Sequence, residues 1–199
     1  LSKIQSRLPK GVQTELGPHK ELTAYHEAGH ALVARLLPGT DPVHKVTIIP
    51  RGRALGLTMQ LPTDEKHSQS RTWLMNNLCI LLGGRVAEEL TFGDVTTGAG
   101  NDIERASAIA RKMVCEWGMS EEIGLLNVAG PDEYGRSRQP YSGETAVKID
   151  QAVHGLLSEA RATATRLLTE HSSIMKAMAD ALLEKETIDG EDIERLMAA

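Results

Sequence analysis

LTAYHEAGHA, residues 22–31, decides how the rest of this chain is interpreted, because it carries the pattern HExxH within an apolar segment. His26 and His30 are four residues apart, a spacing that places two side chains on one helix face, about 5–6 Å apart. Two imidazoles at this distance bind one metal ion, and Glu27 between them is placed to accept a proton from a water on that metal. The pattern predicts a catalytic zinc site on a helix.

The surrounding segment has the apolar periodicity of a helix. Apolar residues recur every three or four positions from Leu22 to Leu37, and Pro38-Gly39 then ends the pattern. We therefore expect a helix over residues 19–37, with both histidines beside its apolar stripe and partly buried. A surface helix whose histidines are merely solvated is the alternative, and the intervening glutamate argues against it.

Composition narrows the class of protein. The chain has 199 residues, of which 41% are hydrophobic but only 3% aromatic, so aliphatic side chains must build the core, which favours a mainly α fold. The net charge is −5 and no basic cluster is present, which argues against a nucleic-acid partner. Cys79 and Cys115 lack CxxC spacing and are predicted to be buried thiols, not a disulfide. No apolar run reaches the 18 residues or so that span a membrane.

The remaining pattern predicts short strands and further helices. Residues 43–50 are rich in β-branched side chains and, with residues 54–61, form a hairpin signal. Gly83-Gly84 lies inside the next apolar pattern, which starts near Ser68, and predicts close packing against another backbone. Asn101 is the expected N-cap of the third helix. Three more helices are expected over residues 142–170, 172–186 and 191–197, the last capped by Asp189.

The third metal ligand is not fixed by the pattern. Leu36 stands where metzincins have a further histidine, and Val43–Pro50 lacks the carboxylate of thermolysin-like enzymes. The candidates are Asp102, Glu88 and Glu89. Asp102 has the better physical case of the three, because a carboxylate is favoured in the first turn of a helix and the glycines before it permit close approach. Taken by itself, however, Asp102 is better interpreted as an ordinary aspartate at a helix start than as a ligand. Glu88 or Glu89 is either exposed or accepts the free N–H of a ligating histidine.

Four motifs in this order resemble one family. They are LTAYHEAGHA (22–31), VHKVTIIPRG (43–52), LLGGRVAEE (81–89) and TGAGNDI (97–103), and Trp117-Gly118 and residues 182–190 match as well. Over about residues 20–199 the chain is similar to the peptidase domain of the FtsH family, membrane-anchored AAA+ ATP-dependent zinc metalloproteases.

The resemblance implies a site and an assembly. His26, His30 and Asp102 would bind one Zn²⁺ per chain, with Glu27 as the catalytic glutamate. The fold would be a mainly α, zincin-like protease domain with a small β-hairpin and a C-terminal helical bundle, active in protein quality control on unfolded or membrane-extracted polypeptides. A homo-hexamer is implied, as are an ATPase module using ATP and magnesium, and transmembrane helices; no phosphate-binding GKT loop occurs in this sequence.

Pro/Gly-rich polar stretches divide the chain, and the resemblance suggests its location. Residues 1–18 would be a linker remnant from the ATPase module or an artificial junction. Residues 19–199 would form the protease domain, with a metal-binding part at 19–130, an exposed loop near 130–141 and C-terminal helices at 140–199. The protease domain would face the cytoplasm at a bacterial inner membrane, or the equivalent organelle compartment, with this fragment itself soluble.

Two functional hypotheses compete with a protease. One is a zinc amidase for small substrates, and the other is an oligomerisation module in which HExxH has lost its role. For the protease, residues 54–61 are expected to offer a strand edge on which an extended substrate adds. His44 is a candidate oxyanion donor, although a place on the strand surface is the better expectation for it.

Overall fold

This computed structural model describes residues 12–50, 56–60, 68–128 and 141–198, with backbone only for 12–18. Six helices and a three-stranded sheet make up the described part. The mainly α fold predicted from composition is confirmed. In chain order the elements are α1 Val12–Leu36, β1 Val43–Thr47, β2 Leu57–Gln60, α2 Arg71–Phe92, a 3₁₀ turn Thr97–Ala99, α3 Gly100–Cys115, α4 Gly143–Glu170, α5 Ser172–Lys185, β3 Thr187–Asp189 and α6 Gly190–Ala198.

Helix α1 carries the HExxH pattern and begins earlier than predicted. It starts at Val12 and not at residue 19, and its helical backbone includes Gly17-Pro18. Pro18 lacks one helical N–H donor, yet the helix continues past it. At the other end Leu36 is its last residue, and the hydroxyl of the following Thr40 donates to the carbonyl oxygen of Ala34 at 2.6 Å and lies 3.0 Å from that of Leu37. The linker assignment for residues 1–11 lies outside the described residues.

Helices α1 and α2 touch through their glycines. A Cβ placed on Gly29 would lie 2.5 Å from the carbonyl oxygen of Gly83, and one on Gly83 would lie 2.9 Å from the carbonyl oxygen of Gly29. Side chains cannot occupy this space, so the two backbones pack directly on each other. The close packing predicted from Gly83-Gly84 is confirmed, and it places α2 against the helix face that carries His26 and His30.

The sheet has the order β2-β1-β3, with both pairs antiparallel. The predicted pairing of residues 43–50 with 54–61 is confirmed for β1 and β2, while residues 51–55 and 61 lie outside the described residues. Strand β3 was not predicted. It follows α5 and pairs with β1, so that β1 is the central strand and β2 is left at the edge.

The ends of the later helices follow from local capping. Asn101 is not an N-cap, because α3 already begins at Gly100 after the 3₁₀ turn, whose own cap is the Thr96 side chain. The side chain of Ser142 caps α4 by accepting a hydrogen bond from the Thr145 N–H. Asp189 accepts one from the Asp192 N–H at the start of α6, as predicted.

Both thiols are buried and free. Cys79 and Cys115 form no disulfide, as predicted. Burial, helped by the nearby charge of Glu159, raises the pKa of the Cys79 thiol to about 11. A thiol held protonated in this way is a packing residue and not a nucleophile. Among the described residues, no helix combines the length and the apolar character needed to cross a membrane.

Candidate metal centre

Three side chains from two helices converge on one point. His26 and His30 extend from α1, and Asp102 extends from the first turn of α3. The two Nε2 atoms are 3.0 Å apart, and each lies 3.3 Å from Oδ2 of Asp102. Within the described ranges, no other trio of His, Cys, Asp or Glu side chains brings its ligand atoms this close.

These separations suit a zinc ion. Tetrahedral zinc holds nitrogen and oxygen ligands at about 2.0–2.1 Å, which sets neighbouring ligand atoms roughly 3.3–3.4 Å apart. The 3.0–3.3 Å distances among the three atoms come close to this value. Two imidazoles and a carboxylate form a donor set that zinc accepts, and three protein ligands leave a fourth position for water.

Gly84 of α2 leaves room beside the ligands. A Cβ built at this residue would lie 2.6 Å from Nε2 of both His26 and His30. Real Cβ atoms essentially never approach another atom this closely. The glycine therefore keeps open the space next to the two nitrogen atoms that face Asp102. Sequence reasoning found the packing role of Gly83-Gly84 but not this one.

Each histidine has a partner on its other ring nitrogen. Nδ1 of His26 lies 2.6 Å from Oε1 of the fully buried Glu88, and Nδ1 of His30 lies 2.7 Å from the carbonyl oxygen of Ile80. Such partners fix the ring orientation and leave the Nε2 lone pair for a metal. Of the two glutamates considered as ligands or partners, Glu88 faces His26, whereas Glu89 forms an ion pair with Arg161 on α4.

Glu88 also holds the loop that leads to Asp102. Its second oxygen, Oε2, accepts hydrogen bonds from the N–H of Thr96 at 3.3 Å and from the Thr96 hydroxyl at 3.1 Å. The Thr96 hydroxyl oxygen in turn accepts from the N–H of Gly98. One buried carboxylate thus connects a candidate ligand on α1 with the turn that positions a candidate ligand on α3.

Hydrogen bonds within the cluster shift the pKa values of His26, Asp102 and Glu88 towards their charged forms. Burial lowers the pKa of His26, but hydrogen bonds with Asp102 and Glu88 outweigh it and raise this pKa to about 9. For Asp102, burial raises the pKa, but hydrogen bonds to His26 and His30 outweigh it and the pKa falls far below its ordinary value. For Glu88, burial raises the pKa, but the hydrogen bond with His26 outweighs it and the pKa is lowered. Both carboxylates are therefore ionised at neutral pH.

Glu27 lies beside the cluster and is also buried. The residue is 6% exposed, and its Oε2 accepts a hydrogen bond of 2.7 Å from the Thr58 hydroxyl on β2. A cleft of about 660 Å³ exposes the three candidate ligands, Glu27 and residues of the edge strand β2 to one space. His44 is exposed on β1 and does not line this cleft, so its candidacy as an oxyanion donor has no support here.

A mainly α fold with HExxH on one helix, a carboxylate from a second helix and an open cleft is the arrangement of a zinc-dependent metallopeptidase. The model of the peptidase family M41 matches residues 16–196, and the chain belongs to this family. The resemblance stated from the motifs is thereby confirmed.

Curated relatives agree with this assignment. The chain is 50% identical over 185 residues to the ATP-dependent zinc metalloprotease FtsH of Magnetococcus marinus, a match covering 90% of this chain and 28% of that protein. It is 51% identical over 186 residues to ATP-dependent zinc metalloprotease FtsH 4 of Sorangium cellulosum, covering 89% of this chain and 29% of that protein. The chain therefore spans less than a third of the length of these relatives.

Proposed function

We propose that this chain is the proteolytic part of an ATP-dependent zinc endopeptidase that hydrolyses unfolded polypeptides. The observation that carries the proposal is the convergence of His26, His30 and Asp102 beside the buried carboxylate of Glu27, in a cleft bordered by an edge strand. The names of the relatives support the zinc, the proteolysis and the ATP dependence.

In this proposal Nε2 of His26, Nε2 of His30 and Oδ2 of Asp102 bind the zinc ion. Zinc held there would lower the pKa of a coordinated water towards neutrality and polarise the scissile carbonyl. Glu27 takes the proton of the attacking water and later delivers it to the leaving amine. Because Thr58 engages Oε2 of Glu27, Oε1 is the oxygen available to that water. Glu88 and the Ile80 carbonyl hold the imidazoles in orientation throughout.

Substrate would bind as an added strand. Strand β2 stands at the edge of the sheet, and Leu57, Thr58 and Gln60 of this strand line the cleft. An extended peptide that hydrogen-bonds to a strand edge is recognised through its main chain, so any unfolded segment qualifies. A folded Leu57→Pro variant, which lacks one N–H, should cleave unfolded protein poorly; wild-type rates would exclude this mode of binding.

The direct test compares three zinc-loaded proteins on a fluorescently labelled unfolded protein: wild type, Glu27→Gln and Glu21→Gln. Glu21 lies on the same helix but is exposed, so its variant controls for the charge change. Cleavage by wild type and Glu21→Gln but not by Glu27→Gln is the expected result. Equal rates in all three would place the chemistry elsewhere. A preference for short acylated amides over protein would favour a zinc amidase.

The surroundings of the full-length protein belong to the same proposal. We propose that an ATPase module feeds substrate to this cleft, that six copies form a ring, and that a membrane anchor lies outside this chain, with the protease on the cytoplasmic side or its organelle equivalent. Linking the chain to the ATPase of a relative should make cleavage of a folded, tagged substrate depend on ATP. A fusion that hydrolyses ATP and yet cleaves without needing it would contradict this coupling.

A further inference from the structure

The carboxylate of Glu27 is held by the sheet and not by its own helix. On one side the Thr58 hydroxyl of β2 donates to Oε2 at 2.7 Å. On the other side, at the residue before β2, a Cβ on Gly56 would lie 2.5 Å from Oε1 and 2.7 Å from Cγ of the same glutamate. Thr58 therefore holds one oxygen of the candidate base, and the absence of a side chain at Gly56 leaves room for the other.

The Thr58 hydroxyl has one proton and two acceptors within reach. The carbonyl oxygen of Glu27 lies 3.3 Å away and Oε2 lies 2.7 Å away, so the carboxylate receives the hydrogen bond. Glu27 is almost completely buried, so little solvent reaches its carboxylate to offset the loss of this donor. A hydrogen bond to an ionised acceptor in such a place is stronger than a bond between neutral groups.

Thr58 also belongs to the strand that borders the cleft. Its backbone pairs with Val46 on β1, while the opposite edge of β2 has no neighbouring strand among the described residues. A peptide that adds to this open edge would pair with the same strand whose Thr58 hydroxyl donates to the Glu27 carboxylate. Docking of substrate and orientation of the base would then depend on the same four residues, Leu57–Gln60.

We infer that Thr58 is a positioning residue for hydrolysis: its hydroxyl holds the Glu27 carboxylate against strand β2, so that the strand that receives the substrate also orients the general base. This inference rests on the proposed function. It assigns no metal contact to Thr58, because the orientation of His26 and His30 depends on Glu88 and the Ile80 carbonyl instead. Removal of the hydroxyl should therefore impair the chemical step and leave zinc binding intact.

The experiment uses the full 199-residue, zinc-loaded chain and an unstructured peptide carrying a fluorophore and a quencher. Thr58→Val keeps the side-chain shape and removes the donor, whereas Thr58→Ser keeps the donor. In Gly56→Ala the new methyl group displaces the carboxylate from the other side. Thr47→Val is the matched control, because Thr47 lies on β1, is buried and hydrogen-bonded, and does not line the cleft.

We expect Thr58→Val to lower kcat on the order of ten- to a hundredfold, the range set by a hydrogen bond to a charged group, with KM and zinc content near wild type. Thr58→Ser should recover most of kcat, Gly56→Ala should lose it, and Thr47→Val should affect stability only. A crystal structure of Thr58→Val should show the Glu27 carboxylate rotated away from β2.

Two results would overturn the inference. One is a wild-type kcat for Thr58→Val alongside an inactive Glu27→Gln, since the protease would stand and the positioning role would fall. The other is an unmoved Glu27 carboxylate in the Thr58→Val crystal structure, which decides the matter without any activity. Failure of the wild-type chain to cleave would instead count against the proposed function. If Thr58→Val does not fold, Thr58→Ala, which also removes the donor, replaces it in both measurements.

Discussion

Glu88→Gln should weaken zinc binding, although Glu88 itself lies outside the trio of candidate ligands. The carboxylate accepts three hydrogen bonds, at 2.6 Å from His26 Nδ1 and at 3.3 and 3.1 Å from the N–H and hydroxyl of Thr96. A glutamine keeps one acceptor oxygen and presents an NH₂ group to the other side. Whichever way the amide turns, a donor then faces a donor in a place with no access to water.

The size of the effect follows from these contacts. Loss of a hydrogen bond between charged, buried partners costs about 1.5–3 kcal/mol. Substitution of such carboxylate partners of ligating histidines typically weakens metal binding about 10- to 100-fold. We therefore expect the zinc dissociation constant of Glu88→Gln to rise on the order of 10- to 100-fold, which is about 1.4–2.7 kcal/mol.

The assay is competition for zinc against a chromophoric chelator at neutral pH, with the adjacent residue as the control. Glu89→Gln makes the same chemical change one position along α2. Its carboxylate is partly exposed and pairs with Arg161, a surface contact worth at most about 1 kcal/mol and remote from the histidines. Zinc affinity should be unchanged in Glu89→Gln. Equal dissociation constants for the two variants would refute the positioning role of Glu88.

Four further predictions concern residues on α1, α2 and α4. Gly84→Ala should weaken zinc binding at least about tenfold, because its Cβ would lie 2.6 Å from two ligand nitrogens; a zinc titration showing wild-type affinity would contradict this. In the metal-free chain His26 has a pKa of about 9, raised from 6.5, so zinc must displace a proton below pH 9. Affinity should then rise roughly tenfold from pH 7 to pH 8, and calorimetry in two buffers should detect about one released proton; a flat profile would contradict it. The raised pKa also means that His26 stabilises the metal-free fold fully below pH 6.5 and that this contribution disappears through pH 9. Gly155→Ala, in open space on α4, should stabilise the chain by about 0.5–1 kcal/mol in urea unfolding, and a destabilised variant would contradict the open space.

The sequence predicts those features that depend on local spacing. His26 and His30 meet because a helix brings residues four apart onto one face, and Gly83-Gly84 packs on α1 because nothing wider fits there. The pairing of β1 with β2 follows from two neighbouring runs of β-forming residues. The roles of Glu27 and of the three ligands remain predictions, which the arrangement of the cleft supports.

Features that depend on distant contacts were missed. Strand β3 has three residues and exists because β1 offers it a hydrogen-bonding edge, about 140 residues away in sequence. The choice between Glu88 and Glu89 depends on which side of α2 faces His26, and adjacent helix residues point about 100° apart. Thr58 was overlooked because a threonine in a strand carries no sign that its hydroxyl meets a carboxylate on a helix.

Pairing of β3 with β1 joins two segments of the sheet that are about 140 residues apart in sequence. Strand β1 lies between β3 and the cleft strand β2, so β3 supports the position of β2 through β1. Lys20 on α1 also forms an ion pair with Glu186, the residue before β3. Backbone amides of β1 should therefore exchange with deuterium only when both regions open together. Deletion of β3 and α6 should then loosen the sheet that borders the cleft, although neither element lines the cleft itself.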